Sequence, residues 1–385
     1  MNPRRLRSVR QARGMTLDAL SAAMGGVVTK QALSKYETGS SVPSPRVLVA
    51  LAKALDIKAI ELAVEPKVQV SVIAFRKRAA LTKGQQRAVE GETTLDLERR
   101  VALQELIGQQ CVDLPLSRYE VATLDDVEVA ADRLRDSWHL GRDPIGRVVD
   151  VLEDRCVHVI EVDAPQKFDG MSVVATVDSK PVAAAVVTRR GVPGDRQRMS
   201  LGHELAHLVL SMDAGVDEEK AAYRFGGAFL APRETLLAEV GHRRNDITSD
   251  ELLILKRTFG MSLAALVFRL HDLGVIGDRY YQDWWKHINK MDWRKREPDE
   301  LQREEPKWLS QSTLRAFSEG LITEAEAESL LGRALDKSGP PSRRRAFAGL
   351  PVGKRADVLA KQAKGAAELY SSGTSYDPDD EIVDY

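Results

Sequence analysis

The chain reads as a multidomain α+β protein: an N-terminal all-α domain (1–66), a connecting strand and helix (67–118), an α+β domain (119–290) and a mostly helical C-terminal region (291–385). Three observations predict this. Residues 4–64 carry short apolar stripes at helical spacing, separated by glycine and proline turns. Residues 119–290 alternate helical stripes with strand-like apolar runs. One of those helices carries His203-Glu204-Leu205-Ala206-His207.

The composition fits that division. At 385 residues the chain is long for one domain. With 43% hydrophobic and 29% charged residues it has the make-up of an ordinary soluble protein. The net charge of −1 hides an uneven distribution. The first 58 residues hold ten lysines and arginines against Asp18, Glu37 and Asp56, whereas the last nine hold five acids and no base. A basic head on a neutral chain points to a local anionic partner such as DNA. Met1 leads into an arginine-rich segment without an apolar stretch, and no apolar run approaches ~18 residues, so neither a secretory signal nor a membrane span is expected. Cys111 and Cys156 have no metal-ligand or redox spacing and read as free thiols in a reducing compartment. A cytoplasmic protein is expected.

In the first domain, Leu6 and Val9 begin an apolar stripe that ends at Gly14. Thr16 is suited to cap a helix over 17–24 with Leu17, Leu20 and Met24 inward. Gly25-Gly26 makes a tight turn. Thr29 then caps a second helix over 30–37 with Ala32, Leu33 and Tyr36 inward. Gly39 ends it, Pro43 and Pro45 mark a loop, and a further helix covers 47–55. Two short helices around a glycine turn make a helix-turn-helix, with Lys, Gln and Ser on the outward face.

These residues resemble the Xre/Cro-repressor family. The resemblance rests on Gly14-Met15-Thr16-Leu17-Asp18-Ala19-Leu20, on Gln31-Ala32-Leu33-Ser34-Lys35-Tyr36-Glu37-Thr38-Gly39, on Pro43-Ser44-Pro45 and on Leu51-Ala52-Lys53-Ala54-Leu55. It implies that the second helix enters the major groove of a DNA operator, with Thr29, Lys30, Gln31, Ser34 and Lys35 at the DNA. Gln31 suits an adenine edge, and Lys30 or Lys35 a guanine or a phosphate. Such repressors usually bind as dimers, so a homodimer is expected.

A strand is expected over 68–76. Gly84 and Gly91 are expected to act as breaks after that strand, and a helix covers 95–109. The next domain begins near Pro115. Helices are expected over 124–138 and 145–153, and a strand over 157–162. Asp169-Gly170 reads as a turn. Strands come next over 171–177 and 181–188, the second apolar enough for burial on both faces.

On the next helix His203 and His207 lie four residues apart and so share a face, about one turn from each other. Two imidazoles at that spacing can hold one Zn²⁺, with Glu204 beside it to take a proton from bound water. Leu201, Leu205 and Leu208 make the helix a buried one. A catalytic zinc takes three protein ligands, and the downstream candidates are Asp213, Asp217, Glu218, Glu219 and Glu234. Glu219 opens an apolar helix that Pro232 stops, and Gly226, Gly227 and Ala228 let it pack closely. His139, His158, His242, His271 and His287 lack ligand spacing and read as structural or surface groups. Arg196 and Arg198 read as solvated. Strands that feed a His-Glu-x-x-His helix have the zincin layout, so the domain is expected to be zincin-like.

The run from Arg196 through Leu208, Glu219-x-x-Ala222-x-x-Phe225 leading into Phe229-Leu230-Ala231-Pro232, and Phe168-Asp169-Gly170 resemble the ImmA/IrrE metallopeptidases over roughly 145–285. The resemblance implies zinc as cofactor, Glu204 as the catalytic base, and an acid on the second helix as third ligand. Glu219 takes that place, with Glu218 as the fallback. Tyr223-Arg224-Phe225-Gly226 departs from the family, which often has Asn before and Ala after. Tyr223 is a candidate oxyanion donor, although a tyrosine on an apolar helix is more often a core residue. Helices over 250–259 and 262–273 come after, as in the family. The implied function is a DNA-binding regulator with zinc-dependent endopeptidase activity, cleaving a repressor-type protein in a stress or mobile-element response.

Beyond Pro298 the chain changes character. Residues 297–306 are mostly charged and read as a linker. Short helices are expected over 314–317 and 324–331, a second linker at Gly339-Pro340-Pro341, an amphipathic helix over 355–370, and an acidic tail over 371–385. This region supports an alternative function: a non-enzymatic, antitoxin-like regulator that binds its own promoter and holds a toxin partner through its C-terminal region.

Overall fold

Four short helices open the chain in a computed structural model that describes residues 1–63, 65, 67–77, 81–109, 111, 114–336, 347 and 350–371. They are α1 (Pro3–Ala12), α2 (Leu17–Ala23), α3 (Lys30–Glu37) and α4 (Pro45–Ala54). Each starts where a side chain accepts a backbone N–H that the helix leaves orphaned: Asn2, Thr16, Thr29 and Ser44 take those of Arg5, Ala19, Ala32 and Val47. Leu6, Val9, Leu20, Leu33, Leu51 and Leu62 close into one small core.

The central sheet is mixed. Its strands are β1 (Gln69–Lys77), β3 (Val157–Val162), β4 (Phe168–Val177) and β5 (Lys180–Arg189), in the order β1-β4-β5-β3. β1 and β5 lie antiparallel to β4, and β3 runs parallel to β5. Met171, Val173 and Ala175 pack with Val89, Leu97 and Val101 of α5 (Lys83–Leu106) on one face. The alternate positions face α8 (Gly194–Val209), where Val174, Ala184 and Val186 join Leu201 and Leu205. Around them stand β2 (Tyr119–Val121), paired with β6 (Leu210–Met212), and the helices α6 (Asp126–Ser137), α7 (Val148–Glu153), α9 (Glu218–Leu230), α10 (Arg233–Val240), α11 (Ser249–Phe259), α12 (Leu263–Asp272) and α13 (Asp278–Lys290). The fold is thus a helical N-terminal domain followed by an α+β region and a helical C-terminal stretch.

Several expectations are corrected. α5 runs unbroken through Gly84 and Gly91. A capping box between Thr82 and Gln85 starts it early, and Gly91 is needed because a Cβ there would lie 2.7 Å from the backbone nitrogen of Ala12 in α1. Asp169-Gly170 lies inside β4, and the turn after that strand is made by Asp178 and Ser179, both at positive φ. Cys111 and Cys156 are joined in a disulfide rather than free, with Cα atoms 5.9 Å apart. The segment after α5 returns to the turn before β3, a proximity that a separation of 45 residues does not reveal.

Residues 297–307 are not a free linker. Glu297 and Glu304 are buried. Glu297 pairs with the buried Lys256 at 2.9 Å and accepts the backbone N–H of Leu263. Glu304 pairs with Arg198 at 2.6 Å and accepts the backbone N–H of Val149. The side-chain amide of Gln197 pairs with the backbone of Glu304 in both directions. Arg198, expected in solvent, is therefore an internal anchor. The segment is a strap across the first turns of α8.

The chain divides into two compact units, 1–309 and 310–385. The second holds most of α14 (Trp308–Ser318), together with α15 (Glu324–Leu331) and α16 (Val352–Ser371). Gly339-Pro340-Pro341 and residues 372–385 of the acidic tail lie outside the described residues. No helix among the described residues is long and apolar enough to cross a membrane.

Candidate metal centre

α8 and α9 bring three chemically apt side chains to one point. The Nε2 atoms of His203 and His207 are 3.2 Å apart. Glu219 places one carboxylate oxygen 3.5 Å from His203 Nε2 and the other 3.7 Å from His207 Nε2. Zinc bonds of ~2.0–2.1 Å at tetrahedral angles put ligand atoms about 3.3–3.4 Å apart, close to the separation of the two imidazole nitrogens and to the distance of each from its nearer Glu219 oxygen. Two imidazoles and a carboxylate are also the donor types that zinc takes, and the residues fit the ion. Among the described residues this is the only trio of His, Cys, Asp or Glu so arranged.

The local sequence explains the convergence. Leu201, Leu205 and Leu208 bury one side of α8, and the same helix carries His203 and Glu204 with no exposed surface. Asp217 caps α9 by accepting the N–H of Lys220 at 3.1 Å, which holds its carboxyl below the usual range. That role sets Asp217 apart as a cap and leaves Glu219 in the first turn, facing the histidines. Asp213, Glu218 and Glu234 are not part of the trio.

Glu204 is walled in by β4. Ser172 Oγ lies 2.8 Å from its carboxylate Oε2 and 2.8 Å from its backbone oxygen. Gly170 lies against the same carboxylate, and a Cβ there would sit 2.7 Å from its Cδ. Sequence reasoning missed Ser172. The available signal is a hydroxyl on an otherwise apolar strand face. Tyr223 is not the core residue expected: it is 41% exposed, and its ring stands edge-on to His203 at 4.5 Å.

The other histidines behave as structural or surface groups. His158 is buried on β3, and its pKa is pushed well below the usual value by burial and then by the charge of Arg100. His271 stacks on Tyr281 and pairs with Asp278.

At the other end of the chain, Thr29 at the cap of α3 and Lys30, Gln31, Ser34 and Lys35 on it are all exposed. Lys30 is partly committed, with Nζ 2.7 Å from Asp18.

Comparison with known families agrees with both ends. Residues 6–62 match the family described as Helix-turn-helix, and residues 185–271 match a peptidase family described as the IrrE N-terminal-like domain. The chain joins an Xre-type helix-turn-helix to an ImmA/IrrE-like domain. The helix-turn-helix match takes in most of α1 and all of α2 through α4. The IrrE-like match runs from within β5 into the last turn of α12, so it encloses α8 and α9 and with them His203, Glu204, His207 and Glu219. No curated protein matches the chain at a significant level.

Proposed function

We propose that this chain is a DNA-binding zinc endopeptidase that cleaves a repressor-type regulatory protein. The convergence of His203, His207 and Glu219, with Glu204 buried beside them, carries the reading. A purely structural zinc has no need of Glu204. Bound zinc supplies a Lewis acid that polarises the scissile carbonyl and acidifies water. Glu204 takes the proton of the attacking water on its carboxylate and delivers it to the leaving amine. Tyr223 flanks the site as a hydrogen-bond donor for the developing oxyanion. The exposed face of α3 brings the enzyme to an operator through Thr29, Lys30, Gln31, Ser34 and Lys35.

The test begins with the zinc content of the purified chain. Wild type and Glu204→Gln are expected to hold one zinc, and Glu219→Ala to lose it while Glu218→Ala keeps it. Wild type that takes up no zinc when supplied would overturn the peptidase reading. Gln31→Ala is expected to cost about 1–3 kcal/mol of operator binding, and Lys35→Ala to lower the salt slope by about one.

A further inference from the structure

Positions 170, 172 and 174 of β4 share the face turned to α8, because alternate residues of a strand point the same way. Val174, with Ala184 and Val186 of β5, makes this face apolar. Ser172 is fully buried among them, and a buried hydroxyl needs a polar partner. The acceptors within reach of its single hydroxyl proton both belong to Glu204: carboxylate Oε2 and the backbone oxygen, each at 2.8 Å. Ser172 thus ties the end of the Glu204 side chain to the residue's own backbone.

Gly170 acts on the same group by leaving space. A Cβ at this position would overlap the carboxylate, lying 2.7 Å from Cδ and 2.9 Å from Cγ of Glu204. The carboxylate occupies the volume that any side chain at 170 would fill. A larger residue here therefore forces the Glu204 side chain to move.

We propose that Gly170 and Ser172 are positioning residues: the glycine opens a slot in the sheet, and the serine fixes the orientation of the Glu204 carboxylate within it. This rests on the reading of Glu204 as the base. A buried carboxylate without such a bond turns toward whatever polar group it can reach. The orientation that serves the metal site is therefore set by β4 and not by α8 alone.

The test uses the full chain in two states. In the chelator-treated state, urea midpoints are measured for wild type, Ser172→Ala, Glu204→Ala and the double variant. The proposal expects a marked shift from Ser172→Ala when Glu204 is present and a much smaller one when it is not. Additive shifts would overturn it. In the zinc-loaded state, Ser172→Ala and Gly170→Ala are expected to keep the wild-type zinc content. Their kcat on an unstructured probe, β-casein, is expected to fall about 10–100-fold at unchanged KM, with Ser172→Thr recovering part of the loss. A wild-type kcat in Ser172→Ala would also overturn the proposal. Casein left intact by the zinc-loaded wild type counts against the peptidase reading, and the midpoints still decide whether Ser172 holds the carboxylate.

Discussion

Gly202 of α8 and Gly226 of α9 meet backbone to backbone: a Cβ on Gly202 would lie 3.0 Å from the Cα of Gly226. In the other direction, a Cβ on Gly226 would lie 3.2 Å from the backbone nitrogen of His203. The two helices therefore approach as closely as glycine permits. That approach brings Glu219, two turns back along α9, to the histidines of α8. Gly226→Val is expected to wedge the helices apart. The chain should lose about 1–3 kcal/mol of stability by overpacking, and its zinc affinity should fall at least about tenfold, read by competition with a chelating dye. Unchanged zinc affinity would mean that the crossing does not set the ligand geometry.

The strap makes a second prediction. Glu304 and Arg198 are both buried, their pairing spans 106 residues, and Arg198 also donates to the backbone oxygens of Ile145 and Gly146. Removing one partner leaves a buried charge uncompensated. Glu304→Ala is expected to cost about 3–5 kcal/mol, measured by urea unfolding. Limited proteolysis should then cut within 297–307, a stretch expected to resist cleavage in the wild type. A variant as resistant as wild type would show that the strap is held by its other contacts.

The disulfide is directly countable. Ellman titration of the urea-unfolded chain should find no free thiol without reductant and two with it. The bond fastens the segment after α5 to the start of β3. Its reduction, or Cys111→Ser, is expected to lower stability by about 2–4 kcal/mol. Two free thiols in the native, unreduced protein would contradict the linkage.

His158 predicts a pH dependence. Its Nε2 donates to the side-chain oxygen of Gln104, its Nδ1 has no hydrogen-bond partner among the described residues, and burial and then Arg100 hold its pKa well below the usual value. The unfolded chain binds a proton near pH ~6.5 while the folded chain does not. The contribution to stability is therefore complete above about pH 6.5 and declines as the pH falls below it, by up to ~1.4 kcal/mol per unit. His158→Phe should remove that slope from urea midpoints of chelator-treated protein between pH 7 and 5.5. A slope equal to that of the wild type would assign it to other groups.

Much of this architecture was legible because it is written locally. Thr16 and Thr29 sit immediately before their helices, and capping needs only the next three residues. The strand over 157–162 agrees with β3 to the residue. Gly91 misled because its local effect is to weaken a helix, whereas its role is to admit α1. Glu297, Arg198 and Glu304 misled because a charged residue is ordinarily solvated, and their partners lie far off in the chain. Ser172 gave no sign beyond being polar in an apolar strand.

The sequence by itself determined which side chains carry the chemistry and how they repeat. Four residues between His203 and His207 put both on one helix face whatever surrounds them, and the first four helices arise from their caps and apolar stripes. Only the tertiary structure decided that the carboxylate of Glu219 lies 3.5 and 3.7 Å from the two imidazoles, that Ser172 reaches Glu204, and that Cys111 meets Cys156. Spacing along a helix is fixed by backbone geometry. Convergence of separate elements depends on how closely they pack, here on two glycines that let α8 and α9 touch.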